Sequence, residues 1–278
     1  MKKVSKKIIA ITGSSGALGK EFIKKYKKNY KFVFYKKKIE NKFDFSNWLK
    51  KNTNIDIFLH FAAISTINSG QRDLKKTYLV NSEATINILK ILNKFDLTRL
   101  KYFLFASSSH VYKPSFKALS ENSKKIPLNT YGKSKKKVED FIITNRKKIK
   151  FKLGIARIFN FYSPKHKKGF FIFDVKNKLI KKNRKIHFNK INTVRDYINI
   201  NQLCEILNFM INRNIVLPVN IGSGKPLNLT VLAKKILKKK INKNFITFDK
   251  TPYPGFLSNI NLLRKLGYKK RIINFRIS

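Results

Sequence analysis

Short apolar runs alternate with amphipathic segments along the first 160 residues of the chain. The runs are apolar throughout, which is typical of parallel strands that are buried on both faces; they are KKIIAIT, KFVFY, IDIFLHFAA, KYFLFASSS and FKLGIARIFN. Between the first two lies LGKEFIKKYKKN, in which Leu18, Phe22, Ile23 and Tyr26 share one helical face. This β-α alternation predicts an α/β fold with a doubly wound parallel sheet.

Three further helices are predicted, for FSNWLKKN, DLKKTYLVNSEATINILKILNKF and NTYGKSKKKVEDFIITNRKK. Ser46 is the predicted N-cap of the first of these, because a serine hydroxyl accepts a hydrogen bond from a free backbone N–H group. Beyond Asn160 the pattern loosens, and proline and glycine become more frequent. We therefore expect a smaller, irregular C-terminal part that lies over the C-terminal edges of the strands.

Three glycines, Gly13, Gly16 and Gly19, lie between the first predicted strand and the first predicted helix. In a dinucleotide site the first glycine makes a tight turn, the second lets the pyrophosphate approach the backbone, and the third lets the helix pack on the sheet. The helix N-terminus adds N–H groups and a positive dipole. A plain tight turn is the alternative interpretation, but the position between a strand and a helix favours a cofactor site.

Eight motifs, in order along nearly the whole chain, resemble those of the extended short-chain dehydrogenases/reductases, the NAD(P)-dependent epimerase/dehydratase group that acts on nucleotide sugars. TGSSGALG resembles TGxxGxxG, HFAA resembles HxAA, and VNSEATINIL resembles VNxxGTxNLL, although Ala84 replaces the usual glycine. SSSHVY resembles SSxxVYG, and YGKSK is the YxxxK motif. In the second half, RIFNFYSP, RDYINI and NIGSG resemble RxxNxYGP, RDFIxV and NxGxG.

The resemblance implies a Rossmann fold with a smaller C-terminal substrate-binding domain. Residues 1–160 are expected to form the NAD(P)-binding Rossmann domain, to which the segment 191–222 returns, and residues 161–278 are expected to form mainly the substrate-binding domain. The implied activity is hydride transfer between the nicotinamide of NAD(P) and a carbon of a nucleotide sugar, expected to be C4. Relatives often pair through two helices per subunit, which implies a homodimer here.

Tyr131 and Lys135 are four residues apart on one predicted helix and therefore share a face. A phenol has a pKa near ~10 and is a poor base at neutral pH. A nearby ammonium group, together with a positively charged nicotinamide, would lower that pKa. Tyr131 is therefore the expected catalytic acid/base, Lys135 is expected to hold the cofactor ribose and tune Tyr131, and the resemblance adds Ser108 as the residue that polarises the substrate oxygen. A solvated helix face is the alternative for the tyrosine and lysine pair.

The resemblance also implies which residues bind the cofactor and the substrate. Besides the catalytic pair, Tyr131 and Lys135, the expected cofactor-binding residues are Gly13, Ser15, Gly16, Ala17, Leu18, Gly19, Lys36, Asp44, Phe61, Ala62 and Ala63. The expected substrate-binding residues are Ser108, Ser109, Asn160 and Arg195, of which Arg195 presents a guanidinium group that suits a diphosphate. Asp196 is expected to be structural. No metal site is expected, since the spacing of His60, His166 and His187 fits no metal site.

Two departures from the family pattern narrow the reaction. Dehydratases of the family carry an acid pair where this chain has Ser109 and His110, so we do not expect a dehydratase. His110 is either an auxiliary acid or a surface-facing loop residue. The second strand ends in Lys36, Lys37 and Lys38 rather than in the aspartate of NAD-preferring relatives. Lysines neutralise a 2′-phosphate, which favours NADP(H).

These observations leave two possible enzyme activities and one alternative function that is not enzymatic. A ketoreductase uses NADPH as a cosubstrate and releases it as NADP⁺ after each turnover, whereas a 4-epimerase retains NAD⁺ and returns the hydride to the other face of the sugar. The three lysines favour the reductase. The alternative is a non-catalytic Rossmann scaffold whose basic surface binds RNA or another polyanion.

Composition limits the class of protein. Of the 278 residues, 42% are hydrophobic and 13% are aromatic, which is typical of a globular protein. No apolar run approaches the ~18 residues of a membrane helix, and the run at residues 8–11 is too short for a signal peptide. We therefore expect a cytoplasmic protein with no membrane partner. The single cysteine, Cys204, excludes an internal disulfide and is expected in the core.

The net charge of +49 comes from 63 lysines and arginines against 14 acidic residues. Such an excess can indicate a protein that binds nucleic acid or an anionic membrane. The lysines are spread along the whole chain, however, and form no stripe or tail. We therefore do not expect nucleic acid to be the main ligand, although a basic surface attracts anionic substrates such as sugar nucleotides.

Overall fold

The computed structural model describes residues 5–65, 73–163, 170–178, 186–237 and 246–273. Its strands are β1 (Ile8–Thr12), β2 (Lys31–Tyr35), β3 (Ile57–His60), β4 (Tyr102–Ser108), β5 (Lys152–Ile158), β6 (Asn160–Tyr162), β7 (Ile186–Phe188), β8 (Thr193–Arg195), β9 (Tyr197–Asn199), β10 (Pro218–Ile221), β11 (Leu227–Asn228), β12 (Ile246–Phe248) and β13 (Tyr253–Phe256). Its helices are α1 (Ala17–Tyr26), α2 (Lys42–Lys50), α3 (Leu74–Tyr78), α4 (Thr85–Lys94), α5 (Thr130–Asn145), α6 (Phe171–Lys178), α7 (Ile200–Asn212), α8 (Leu229–Leu237) and α9 (Asn261–Lys265).

Six strands form one parallel sheet in the order β10-β5-β4-β3-β1-β2. The chain runs outward from β1 to β2 and then crosses back to β3 on the other side of β1, so the strand order reverses between β1 and β3. In open α/β sheets, ligands bind in the crevice outside the carboxyl ends of the strands at such a reversal. The glycine loop follows β1 and the HFAA segment follows β3, so both flank this point.

Helices cover both faces of the sheet. On β4, Tyr102 and Leu104 face one core, which also contains buried residues of α1, α7 and α9. Phe103 and Phe105 face the opposite core, which contains buried residues of α2, α4 and α5. Strands buried on both faces have no solvent side, which is why their sequences are apolar throughout. The predicted doubly wound α/β fold is confirmed.

The second half of the chain contributes both to the main sheet and to a separate group of small sheets. The segment from α7 to β10 joins the main sheet, where α7 packs on α1 and β10 pairs with β5. The other C-terminal strands form three small sheets, in the orders β11-β8-β13, β12-β7 and β6-β9. A separate core lies beneath them and contains Val175 of α6, Tyr197 of β9 and Leu232 of α8.

The long helix predicted for residues 73–95 contains a π-helical turn. Leu79–Ala84 forms this turn between α3 and α4. A π turn adds a residue to the helical repeat, and such turns are frequent at functional sites. Here it directs the buried side chains of Asn81 and Ser82 towards α5.

The prediction that Ser46 caps a helix is wrong. Helix α2 begins earlier, and Asn41 is its N-cap, with the side-chain oxygen accepting the N–H of Asp44 at 3.1 Å. The earlier start places Phe45 and Leu49 on one face against the core. Ser46 therefore lies inside the helix, because burial of that face decides where the helix begins.

Two further expectations concern the membrane and the cysteine. In the ranges that the structure describes, no helix combines the length and the apolar character needed to cross a bilayer. Cys204 lies in α7 and is buried in the core, as expected. Burial raises the pKa of its thiol to about 12, so the thiol stays protonated and unreactive at neutral pH.

Candidate active site

The glycine loop presses against the end of β3. Gly13 has φ +74°, a conformation that favours glycine, and a Cβ there would lie 2.5 Å from the backbone nitrogen of Ala62. The N–H of Gly16 donates to the carbonyl of Gly13 at 3.1 Å and closes the turn before α1. A Cβ on Gly19 would lie 2.3 Å from that same carbonyl. Gly19 therefore lets α1 approach its own loop closely, and its expected role in packing the helix on the sheet stays a prediction.

A cleft of about 610 Å³ opens between this loop, the end of β2 and the segment after β3. Five of the residues expected to bind the cofactor line it, namely Gly13, Ser15, Lys36, Ala62 and Ala63. Residues that the sequence analysis did not single out also line it, among them Ser14, Phe34, Ile64 and Val80. Gly16, Ala17, Leu18, Gly19, Phe61 and Asp44 are not among its lining residues, and Phe61 instead packs on Phe22, with ring centroids 6.0 Å apart.

The lysines after β2 differ from one another. Lys36 and Lys37 both line the cleft. The ammonium of Lys37 lies 2.7 Å from the carboxylate of Asp44, so Asp44 neutralises one of the two charges. The ammonium of Lys36 lies 5.9 Å from the centroid of Phe34. Within the described ranges no carboxylate forms an ion pair with Lys36, so its positive charge remains for a ligand.

His60 joins β3 to β1 and α4. One ring nitrogen lies 2.9 Å from the hydroxyl of Thr12, and the other lies 2.9 Å from the hydroxyl of Thr85. Burial, and then the charge of Lys135, lower the pKa of His60 to about 3. The ring is therefore neutral at neutral pH and has a structural role beside the cleft.

Asn81 in the π turn connects the cleft to α5. Its side-chain oxygen accepts the N–H of Ile64 at 2.8 Å, and its amide donates to the carbonyl of Ile64 at 3.0 Å and to the hydroxyl of Ser134 at 3.2 Å. Ser134 lies between Tyr131 and Lys135 on α5. Asn81 therefore sets the distance between the cofactor cleft and that helix. The motif that contains Asn81 is visible in the sequence, but these contacts are not.

The three predicted catalytic residues lie together where β4 ends and α5 begins. Ser108 ends β4, and its hydroxyl accepts the N–H of His110 at 3.2 Å. The same hydroxyl faces the Tyr131 phenol closely enough to affect its pKa. The ammonium of Lys135 donates to the carbonyl of Ala106 at 2.8 Å and lies 5.9 Å from the centroid of the Tyr131 ring.

Burial is the main influence on the pKa values of Lys135 and Tyr131. It lowers the pKa of Lys135 to about 7, against the opposing effect of the Glu139 carboxylate. It also raises the pKa of Tyr131, and the nearby Ser108 hydroxyl opposes that rise only in part. The expected lowering of the phenol pKa by Lys135 is therefore wrong for the chain alone. The positive nicotinamide in that expectation is a charge that the protein does not supply.

A buried ion pair lies behind the trio on the same helix. Glu139 is one helical turn after Lys135, and its carboxylate lies 2.7 Å from the guanidinium of Arg157 on β5. Arg157 also donates to the phenol of Tyr112 at 2.7 Å, and that phenol donates to the side chain of Asn220 on β10 at 2.7 Å. This network attaches α5 to the strands β5 and β10 of the sheet. No pattern in the sequence indicates this network.

The expected substrate-binding residues lie on the C-terminal side of the sheet. Ser109 is buried, and its carbonyl accepts the N–H of Tyr112 at 3.1 Å. Asn160 begins β6 and is half-buried. Arg195 ends β8, where its guanidinium carbon lies 5.0 Å from the centroid of Phe256. Burial lowers the pKa of Arg195, whose charge faces little competing solvent.

Asp196 fixes the position of its neighbour Arg195. Its carboxylate accepts the N–H groups of Ser223 at 2.6 Å, Gly224 at 2.9 Å and Ser258 at 3.2 Å. The hydroxyls of Ser223 and Ser258 donate to it as well. These neutral donors satisfy a fully buried carboxylate, with which no cation of the described residues pairs. Asp196 thus ties together three separate segments of the substrate half.

His187 is exposed on β7, where its ring hydrogen-bonds Thr247 and Asn189. His166 lies outside the described residues. Within those residues, the histidines, cysteine and acidic residues form no group that could hold a metal ion.

His110 is not exposed on a surface loop, so that alternative is wrong. It is half-buried in the short turn after β4. Its ring lies 6.0 Å from that of Tyr131 and 4.7 Å from that of Phe256, measured between centroids. Burial, and then the charge of Arg195, lower the pKa of His110 to about 4. An imidazole that is neutral at pH 7 is a poor proton donor, which argues against an auxiliary acid.

Comparison with known proteins agrees with this site. The family model described as GDP-mannose 4,6 dehydratase matches residues 7–250. The chain is 26% identical to GDP-6-deoxy-D-talose 4-dehydrogenase of Aggregatibacter actinomycetemcomitans over 212 residues, which are 74% of this chain and 71% of the relative. None of these matches supports a scaffold that binds RNA.

Two solved structures share the fold. UDP-glucose 4-epimerase of Thermus thermophilus in complex with NAD matches with a TM-score of 0.81 at 14% identity, over 96% of this chain and 95% of that one. RMD of Pseudomonas aeruginosa complexed with NADPH matches with a TM-score of 0.79 at 19% identity, over 94% and 92%. The predicted Rossmann fold and family are both confirmed. The chain belongs to the GDP-mannose 4,6 dehydratase family and is an enzyme of the extended short-chain dehydrogenase/reductase type, within its NAD(P)-dependent epimerases and dehydratases of nucleotide sugars.

Proposed function

We propose that this chain transfers hydride at C4 of a nucleotide sugar, as a ketoreductase or a 4-epimerase. The observation that carries the proposal is the meeting of Ser108, Tyr131 and Lys135 at the end of β4, next to a cleft at the reversal of strand order. Asn81 joins the two through Ile64 and Ser134. The catalytic trio and the cofactor cleft thus belong to one site.

The cleft fits NAD(P). Gly13 presents bare backbone where a Cβ would collide with the segment after β3, and the first turn of α1 offers N–H groups to a pyrophosphate. We assign cofactor binding to the thirteen residues expected from the sequence, with Gly13, Ser15, Lys36, Ala62 and Ala63 lining the cleft. When bound, NAD(P) accepts or supplies the hydride.

Tyr131 moves the proton. In oxidation its phenolate oxygen takes the proton of a sugar hydroxyl while hydride leaves the same carbon, and a ketone results; in reduction the phenol returns the proton. Ser108 donates a hydrogen bond to the same sugar oxygen. Lys135, fixed by the carbonyl of Ala106, places its ammonium beside the phenol and holds the ribose. Burial raises the pKa of Tyr131, so positive charge near the phenol is needed to form the phenolate.

The side chains after Ser108 separate the possible reactions. Dehydration at C5 and C6 needs an acid and a base beside the sugar, and this chain has Ser109 and a neutral His110 there. A dehydratase is therefore excluded from the proposal. A relative named as a 4-dehydrogenase supports chemistry at C4.

The charge of Lys36 supports a preference for NADP(H). Lys36 lines the cleft at the end of β2, and its charge is not paired within the described residues, whereas Asp44 neutralises Lys37. A free ammonium at this position matches the 2′-phosphate of NADP(H). This preference in turn favours the ketoreductase over the epimerase.

The substrate side is assigned to Ser108, Ser109, Asn160 and Arg195, with Arg195 on the diphosphate.

The chain is further proposed to form a homodimer through α5 and the helix that contains the π turn. The exposed lysines there include Lys75, Lys90, Lys133 and Lys137. Their repulsion across a two-fold axis predicts that the dimer strengthens as salt is added, which sedimentation at two salt concentrations measures.

The nucleotide that is released when freshly purified protein is denatured tests the function. Mass spectrometry of the supernatant identifies it, and titrations with NADPH and NADH follow if none is found. Released NAD⁺ favours the epimerase. An empty protein that binds NADPH and oxidises it with a nucleotide 4-ketosugar favours the ketoreductase. Failure to bind any of these cofactors contradicts the proposal.

A further inference from the structure

We propose that His110 is a substrate-positioning residue whose neutral imidazole donates a hydrogen bond, from Nε2–H, to an oxygen of the hexose. This inference rests on the proposed function, since it takes a nucleotide sugar as the ligand. It assigns to His110 neither proton transfer nor contact with the cofactor.

The first support is the position of the ring. It lies between Tyr131, at a centroid distance of 6.0 Å, and Phe256, at 4.7 Å. The guanidinium of Arg195 lies on the ring of Phe256, 5.0 Å from its centroid. A nucleotide sugar that places its diphosphate at Arg195 and its reacting carbon at Tyr131 has its hexose between them. His110 therefore lies beside the hexose rather than beside either end of the substrate.

The second support is the tautomer of the ring. Asn129 is the N-cap of α5, and its side-chain oxygen accepts the N–H of Gly132 at 2.8 Å. This cap fixes the orientation of the amide, since a flipped amide would place two donors against each other. Its NH₂ group consequently faces Nδ1 of His110, at 3.2 Å. Nδ1 must accept, so the proton of the neutral ring is on Nε2.

The third support is the charge around the ring. The titratable groups that face it are the phenol of Tyr131 on α5 and the guanidinium of Arg195 on β8. The positive guanidinium disfavours an imidazolium, and in the chain alone the buried phenol is protonated and adds no negative charge. The ring therefore stays a neutral donor over the working pH range. Such a donor selects a hexose that has an oxygen within its reach over an analogue that lacks it.

Two substitutions at His110 separate the donor from the ring. His110→Gln keeps an N–H donor near the place of Nε2, and His110→Phe keeps a flat ring against Phe256 but removes the donor. The probes are UDP-glucose and GDP-mannose, with UDP and GDP as controls that lack the hexose. Calorimetry on the full chain, saturated with NADP⁺, gives each Kd. We expect His110→Phe to weaken binding of the preferred nucleotide sugar about tenfold and His110→Gln to stay within about threefold, with the nucleotide diphosphates unchanged.

The remaining outcomes overturn the inference in different ways. Equal losses for the two variants show that the ring, and not its N–H, matters. Equal weakening of the sugar-free diphosphate moves His110 to the phosphate end. A wild-type chain that binds cofactor but gains nothing from the hexose refutes the inference alone. A wild-type chain that binds neither cofactor nor nucleotide refutes the proposed function, and the inference with it.

Discussion

Arg157 and Glu139 form an ion pair that is closed to solvent, with the guanidinium and carboxylate 2.7 Å apart. The pair lies one helical turn behind Lys135 on α5, and it joins that helix to β5. A buried pair contributes little stability when compared with apolar residues of the same volume. Loss of one partner, however, leaves a charge without compensation in the interior.

We therefore expect Glu139→Gln to lower the free energy of unfolding by about 3–5 kcal/mol, because Arg157 stays charged and buried. Urea denaturation measures the change. Asp140→Asn, one residue later, is the matched control, because Asp140 pairs with Lys136 at the surface and its loss costs at most about 1 kcal/mol. Equal effects of the two substitutions would contradict the role given to the network.

Tyr131→Phe removes only the phenol oxygen. We expect turnover to fall by about 10²–10⁴-fold, because the substrate hydroxyl loses its proton acceptor, while the affinity for NADP(H) is unchanged. Steady-state kinetics and fluorescence titration measure the two quantities. Tyr30→Phe is the control, since Tyr30 hydrogen-bonds Asn208 and precedes β2, at the opposite end of that strand from the cleft. Full activity of Tyr131→Phe would rule out the mechanism.

Lys36→Ala and Lys37→Ala test which lysine distinguishes NADPH from NADH by binding the 2′-phosphate. Both side chains line the cleft, but only Lys37 is neutralised by Asp44. We expect Lys36→Ala to raise the KM for NADPH about tenfold with little effect on NADH, and Lys37→Ala to change the ratio much less. The ratio of kcat/KM for the two cofactors is the measurement. If both variants shift it equally, the lysines act only through net charge.

Gly132→Ala tests the contact between α5 and the turn that holds His110. A Cβ there would lie 2.1 Å from the His110 carbonyl, so the backbone of the turn must move. We expect a loss of about 1–3 kcal/mol in unfolding free energy together with a lower kcat. Gly267→Ala is the control, since its φ of +98° costs about 1–2 kcal/mol but nothing lies within 4 Å. Unchanged kcat in both variants would show that the turn tolerates the shift.

His60 makes the fold sensitive to acid. Burial lowers its folded-state pKa to about 3, below the ordinary value of 6.5, so the unfolded chain binds more protons between these pH values. Stability is therefore lost as the pH falls from 6.5 towards 3, by about 1.4 kcal/mol per pH unit for this one group. Urea midpoints of the wild type and His60→Asn between pH 7 and 4 measure the slope, which the substitution should reduce. Parallel slopes would assign the acid sensitivity to other groups.

The sequence predicts those parts of the molecule that depend on neighbouring residues. The strands of the main sheet are recognisable because both faces are buried, and Tyr131 and Lys135 share a face because of helical spacing alone. The contact between Gly13 and Ala62 follows once β1 and β3 are known to be adjacent and parallel.

Features that depend on distant pairing were not predicted. The ion pair of Glu139 and Arg157 exists because α5 packs over β5, and no spacing rule connects the two residues. The environment of His110 depends on Phe256, which is brought there by the pairing of β13 with β8. At Ser46 a local signal gave a wrong prediction. The residue type suits an N-cap, but burial of Phe45 and Leu49 places Ser46 inside the helix.

The contacts of Asp196 determine the order in which the active site can be assembled. One of its partners is Ser258, which lies 62 residues later in the chain. The segment at Ser115, which follows the catalytic strand β4, likewise pairs with Gly255 near the end of the described chain. The glycine loop, Ser108, Tyr131 and Lys135, by contrast, are complete once β5 has been synthesised. A growing chain can thus form its cofactor cleft early, by local βαβ units. Arg195 receives its final position only when the last segment arrives, so the enzyme becomes able to hold a substrate late in its synthesis.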